Sequence, residues 1–246
     1  MKNFSTKVFY GTANHEEFIN GIQLSVNQIA PTGIFTGDNL FTYGRTLSFL
    51  DDADMMTAFE KNALTDTERS LIWRYHTVCW AARNGLRLEG DFVDCACALG
   101  NVSRMIADTL KLAGTSKSLK LYDDFSFPVH NTVQDKNYSA DELFSYVQNR
   151  FADVPQVQVN RGLDAASLEK TLPEKISFLH LDQSMTELPV ESLALLFERM
   201  VSGAAVVFNE FGWQGYEELR QRMLPFFTER GYQILELPTG QGLLIK

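Results

Sequence analysis

From about residue 90 onward, short apolar runs alternate with amphipathic segments. "DFVDCACA" reads as a buried strand, and "VSRMIADTLKLAG" after it as a helix that stops at Gly114. "SLKLYDDF" is a second strand. "SADELFSYVQNRF" is a helix in which Ser139 and Glu142 form a capping box. "VQVNRG" is a strand, a short helix near Asp164 to Thr171 follows, and "ISFLHLD" is the fourth strand. "PVESLALLFERMVSG" is a helix with Pro189 in its first turn, Leu193, Leu196, Phe197 and Met200 on one face, and Gly203 at its end. "GAAVVFNEF" is a strand, "YEELRQRMLPFFTERG" a helix, and "YQILELPTGQGLLIK" a closing hairpin turned near "TGQG". Such alternation builds a parallel sheet with helices on both faces, and the final hairpin adds an antiparallel strand.

The first part of the chain has a different rhythm. "TDTERSLIWRYHTVCWAARNG" predicts a helix opened by the Thr65–Glu68 capping box and stopped at Asn84-Gly85. Glu16 to Ile29 predicts another, and "PTGIFTGDNLFTYGRTLSF" between them reads as loop. The expected organisation is a helical N-terminal extension or lid over residues 1–88 and a sheet domain over 89–246.

Composition narrows the function classes. The chain has 246 residues and a formal net charge of -9, which disfavours a nucleic-acid partner. No apolar run approaches the roughly 20 residues needed to span a bilayer, so no membrane partner is expected. The N-terminus lacks an apolar stretch followed by a small-residue cleavage site, so no secretory leader is expected. Three cysteines without a spaced framework fit the reducing cytoplasm. Cys95 and Cys97, two apart on a strand, would share a face. A structural zinc takes about four ligands and no second pair exists, so both read as small apolar residues.

In open α/β sheets ligands bind beyond the carboxyl ends of the strands. Those ends carry Asp94, Asp123 and Asp124, "NRGLD", His180 and Asp182, and Asn209 and Glu210. Asp123 is placed to accept hydrogen bonds from both hydroxyls of a ribose; Asp124 beside it reads more simply as a cap. The helix start after "CACALGN", at Gly100, Asn101 and Ser103, presents backbone N–H groups that suit a carboxylate or phosphate. Asp182, Asn209 and Glu210 are three oxygen-bearing side chains that suit Mg²⁺ or Ca²⁺. Alternatively Asp182 acts alone as a general base, with His130 or His180 behind it.

Taken together, "TDTERSLIWRYHTVCWAARNGLRLEGDFVDCACALGNVSRMIAD", "LKLYDDF", "ISFLHLD", "GAAVVFNEFGW" and "GYQILELPTGQGLLIK" resemble class I S-adenosylmethionine-dependent methyltransferases of the macrocin O-methyltransferase type, over about residues 35 to 246. The resemblance implies a Rossmann-like, doubly wound, mostly parallel seven-stranded sheet. It implies that the turn from Asp94 through Cys95 and Ala96 to Gly100 lines the methionine part of the cofactor and that Asp123 binds its ribose. It also implies Asp182 as base or metal ligand, with Asn209 and Glu210 where the family usually carries an Asp-Asp pair. Two departures stand out. Ala96 occupies a usual glycine position, so the turn needs either ordinary backbone geometry or strain. Asn209-Glu210 removes one charge from the acid pair, which lowers affinity for a divalent ion.

The leading expectation is methyl transfer from S-adenosylmethionine to an oxygen of a small molecule, with sugar-containing acceptors among the candidates. The alternative is a catalytically impaired relative with a binding or regulatory role, motivated by Ala96 and Asn209-Glu210. A dinucleotide enzyme is disfavoured, because G-x-G-x-x-G is missing. The aromatic-rich N-terminal part suits either a cover that excludes water or a homodimer contact.

Overall fold

A computed structural model describes residues 2–126, 138–183 and 188–246. The chain divides into two compact units, Met1–His76 and Thr77–Lys246.

The first unit contains β1 (Phe4–Ser5), α1 (His15–Val26), β2 (Phe35–Gly37), β3 (Leu40–Thr42), α2 (Ala53–Asn62), α3 (Asp66–Ser70) and the start of α4 (Ile72–Gly85). The segment expected to be loop holds the β2–β3 hairpin, with β1 parallel alongside β2. Its two turn residues, Asp38 and Asn39, have φ of 51° and 57°. A turn with both central φ values positive matches the twist of the flanking strands, and Asp and Asn tolerate that region better than most residues. Three-residue strands carry too little alternation to register in the sequence. Arg74 fixes the turn by donating to Asp38 through Nε (2.6 Å) and Nη2 (2.8 Å). The single helix expected from residue 65 is broken at Leu71 into α3 and α4, while its capping box forms as expected. Phe35 packs between Phe4, stacked at 5.5 Å, and Trp73, edge-on at 4.9 Å.

The second unit holds one seven-stranded sheet: β4 (Asp91–Cys95), β5 (Leu119–Asp123), β6 (Val157–Arg161), β7 (Ile176–Leu181), β8 (Met200–Phe208), β9 (Leu235–Glu236) and β10 (Gly242–Ile245). Its order is β6-β5-β4-β7-β8-β10-β9. β4 to β8 pair in parallel, and β10 runs antiparallel to both β8 and β9. The interposed helices are α5 (Asn101–Thr109), α6 (Ala140–Arg150), α7 (Ala165–Glu169), α8 (Val190–Arg199) and α9 (Glu217–Thr228).

Alternation along β8 shows how the sheet is covered. Val206 and Phe208 join one cluster with Leu168 of α7, Leu196 of α8 and Phe227 of α9. Ala205 and Val207 join the other with Ala81 of α4, Ile106 of α5 and Val147 of α6. Period-two alternation over a buried sheet requires this split.

Two expectations are corrected here. α8 ends at Arg199 rather than at Gly203, and β8 begins at once at Met200. Gly203, with φ of 84°, lies inside the strand, where the β7–β8 register shifts; a glycine at such a point marks a bulge. Cys95 and Cys97 do not share a face: β4 ends at Cys95, and the two thiols fall in different core clusters. Both are buried and unpaired in disulfides, and burial pushes both thiols up. Among the described residues no helix is long and apolar enough to cross a membrane.

Candidate functional site

The strand order reverses direction between β4 and β7, because the chain builds β5 and β6 on one side of β4 and then crosses to the other. A crevice at such a point is where open α/β sheets bind ligands. The polar residues at the ends of β4, β5, β7 and β8 therefore define the candidate site.

After β4 the backbone takes an unusual path. Ala96, Ala98 and Gly100 have φ of 59°, 48° and 72°. Of the two outcomes open for Ala96, the turn takes the strained one. Gly100 caps α5, and a Cβ there would approach Phe151 within 2.9 Å, so glycine is required. Ala96 has no such need, and a left-handed alanine costs about 1–2 kcal/mol. Ala96→Gly removes that strain but adds about 0.4–1 kcal/mol of unfolded-chain entropy. The expected net is a stabilisation between about zero and about 1.6 kcal/mol, a rise in Tm of at most about 3–6 °C by differential scanning calorimetry. A lowered Tm would refute the strain.

Asp123, fully buried at the end of β5, gathers this turn. Its Oδ2 accepts from Ala98 N–H at 2.9 Å, and its Oδ1 from Phe125 N–H at 2.8 Å. Phe125 itself has φ of 55°. Among the described residues of this unit, non-glycine positive φ occurs at Ala96, Ala98, Lys111 and Phe125. All but Lys111 lie in the segments that wrap Asp123. Burial pushes the Asp123 carboxyl up, helped by Asp124 and Asp94 and opposed by the two amide hydrogen bonds. Asp124 is exposed.

Beneath the turn lies a buried polar group. Asp94 and His180 are register partners on β4 and β7, so their side chains leave the same face. His180 Nδ1 lies 2.8 Å from Asp94 Oδ1, and Ser103 Oγ on α5 donates to Asp94 Oδ2. Both Asp94 and His180 are 0% exposed. Burial alone would lower the imidazole pKa; the charge and hydrogen bond of Asp94, with the charge of Asp182, outweigh it and hold it above the ordinary value.

At the next strand ends, β7 and β8 bring Asp182 and Asn209 together, with Asn209 N–H donating to Leu181 O at 2.9 Å. Asn209 Nδ2 donates to Asp182 Oδ2 at 3.1 Å and to Glu210 Oε1 at 2.6 Å. Its Oδ1 accepts from Gln241 Nε2 at 3.4 Å. Asn209 thus turns its NH₂, which has no lone pair to give, toward the two carboxylates, and its oxygen away. The oxygen set expected for Mg²⁺ or Ca²⁺ from Asp182, Asn209 and Glu210 is therefore not assembled. No group of three or more His, Cys, Asp or Glu side chains among the described residues is placed to hold a metal ion.

No family model matches the sequence, and no curated protein matches it. Solved structures do match its chain path. The O-methyltransferase NovP superposes with a TM-score of 0.55 at 14% identity, over 72% of this chain and 81% of its own. CalS11, a TDP-rhamnose 3'-O-methyltransferase of calicheamicin biosynthesis, gives 0.54 at 12% identity, over 97% of each chain. The methyltransferase PaMTH1 of Podospora anserina, bound to S-adenosylhomocysteine, gives 0.55 at 11% identity, over 97% of this chain and 99% of its own. The chain has the class I methyltransferase fold.

Within that fold the expected site residues fall at the strand ends from β5 across to β8. Asp94, Cys95, Ala96, Gly100, Asn101 and Ser103 form the β4–α5 corner, with Cys95 and Ser103 buried and Asn101 half-buried as the first residue of α5. Asp182 is half-buried at the end of β7. His130 lies outside the described residues. Sequence reasoning missed Ala98, whose N–H holds Asp123, and Gln241, which orients Asn209. Alanine gives no hint of a left-handed backbone, and Gln241 is 32 positions from its partner.

Proposed function

We propose that the chain is an S-adenosylmethionine-dependent O-methyltransferase acting on a hydroxyl of a small, sugar-bearing acceptor. The observation that carries this is the concentration of backbone strain around buried Asp123 at the fold's ligand-binding edge. Strained non-glycine residues persist only where the surroundings impose them, and they gather at functional sites. The donor set fits the cofactor. An ionised carboxylate has about four lone-pair sites; Asp123 spends two on backbone amides, and because it is fully buried the other two meet ribose hydroxyls only if the turn around it opens as the cofactor enters. When bound, S-adenosylmethionine supplies a sulfonium methyl for in-line displacement. The protein's task is then alignment and removal of the acceptor proton. Asp94, braced by His180 and Ser103, fixes the turn that would line the cofactor. Asp182, half-buried on the rim, takes the proton. The three buried cysteines form no disulfide, which suits a reducing compartment such as the cytoplasm.

Calorimetric titration with S-adenosylmethionine tests the reading, and no heat at millimolar cofactor would sink it. Asp123→Ala removes charge-assisted hydrogen bonds worth about 1.5–3 kcal/mol, so affinity should fall about 10- to 100-fold. A variant that binds as tightly as wild type removes Asp123 from the site.

A second reading, a methyltransferase-fold protein that binds or regulates without transferring, draws on Ala98, whose N–H already occupies Asp123 Oδ2. Cofactor binding without incorporation of labelled methyl into any of a panel of glycosides would favour it.

A further inference from the structure

We infer that Asn209 is a positioning residue that does with an amide what a divalent cation would do at this rim, so that the site works without one. The inference rests on the reading of Asp182 as the proton acceptor, and its grounds are the orientation of one side chain. Two carboxylates, Asp182 and Glu210, converge on a single NH₂ group and share its two hydrogens. An amide can be turned either way, and here the neighbours decide. The opposite orientation would set the Asn209 oxygen against both carboxylates and its NH₂ against the NH₂ of Gln241. Gln241 is in turn fixed, since it is fully buried and its Oε1 accepts from Thr239 Oγ1 at 3.0 Å. The chain Thr239–Gln241–Asn209 thus presents a donor between the acids. Two acids that converge repel each other unless a cation or a donor lies between them. The donor is built in, and the position a cation needs is held by N–H groups that offer it no lone pair.

Asn209→Asp exchanges this donor for a third carboxylate and makes the rim require a cation. In a thermal melt, wild type should be unmoved by about 10 mM Mg²⁺, whereas Asn209→Asp should melt lower and regain roughly 5 °C or more with Mg²⁺. Electron paramagnetic resonance with Mn²⁺ should show stoichiometric binding to the variant and none to wild type. The pH profile of methyl transfer should be blind to EDTA in wild type and should move with Mg²⁺ in the variant. Stoichiometric Mn²⁺ binding by wild type, or an Asn209→Asp melt indifferent to Mg²⁺, would overturn the inference. The melt and the resonance need no turnover, so they stay decisive even if the protein transfers no methyl group.

Discussion

Asp182→Asn should lower methyl transfer by about 10²- to 10⁴-fold, the usual contribution of a positioned general base, and leave S-adenosylmethionine affinity within about threefold. The substitution keeps the shape of the side chain and an oxygen to accept from Asn209 Nδ2, now 3.1 Å from Asp182 Oδ2. What it removes is a site for the acceptor's proton. The alternatives in the described structure are poor. His180 is 0% exposed and committed to Asp94 through Nδ1, so no acceptor hydroxyl reaches it. Glu210 is buried to 8% exposure and shares the Asn209 amide. Asp182 combines a strand-end position with partial exposure. Single-turnover rates of the two proteins, measured with a saturating acceptor, test the assignment. A variant that retains more than about a tenth of the wild-type rate moves the base elsewhere, and His130→Ala is then the next measurement.

The sheet could be read from the sequence because each of its elements is signalled locally. Apolar runs such as "ISFLHLD" mark buried parallel strands, and the Thr65–Glu68 and Ser139–Glu142 boxes fix helix starts within a residue. Elements set by short or long-range causes could not be read. The β2–β3 hairpin has only three residues per strand. β8 starts at Met200 because a bulge absorbs Gly203, whereas an isolated glycine after a helical run suggests a stop. At the site, the acids could be located because strand ends are their natural place. Their partners could not: His180 meets Asp94 across 86 positions, and Ala98 meets Asp123 across 25. The strain at Ala96 and Ala98 runs against local propensity, as expected where function overrides it. The orientation of Asn209 is a property of a network that joins the end of β8 to the turn before β10.

Asp94→Ala should cost about 3–5 kcal/mol of stability, the penalty for removing one member of a buried ion pair. The pair is enclosed, with side-chain exposure of 1% on each side. The variant leaves the imidazole buried without its counterion and Ser103 without its acceptor. The pH dependence separates this mechanism from simple loss of packing. In wild type the folded-state pKa of His180 is raised above its unfolded value, so the folded state binds the proton more tightly. The resulting stability is fully present below the unfolded value of about 6.5. It is lost as pH rises through the raised folded value. In Asp94→Ala burial dominates and lowers the folded-state pKa, which reverses the sign: stability from this group grows as pH climbs toward 6.5. The difference in urea unfolding free energy should therefore widen steadily as pH falls from 9 to 6 and shrink toward alkaline pH. The groups that bear on the imidazole are Asp94 beside it and Asp182, two residues on and just past the end of β7, so Asp182→Asn should leave most of that difference in place. A gap that stays constant from pH 6 to 9 would show that the pair carries no shared proton and that its cost is packing alone.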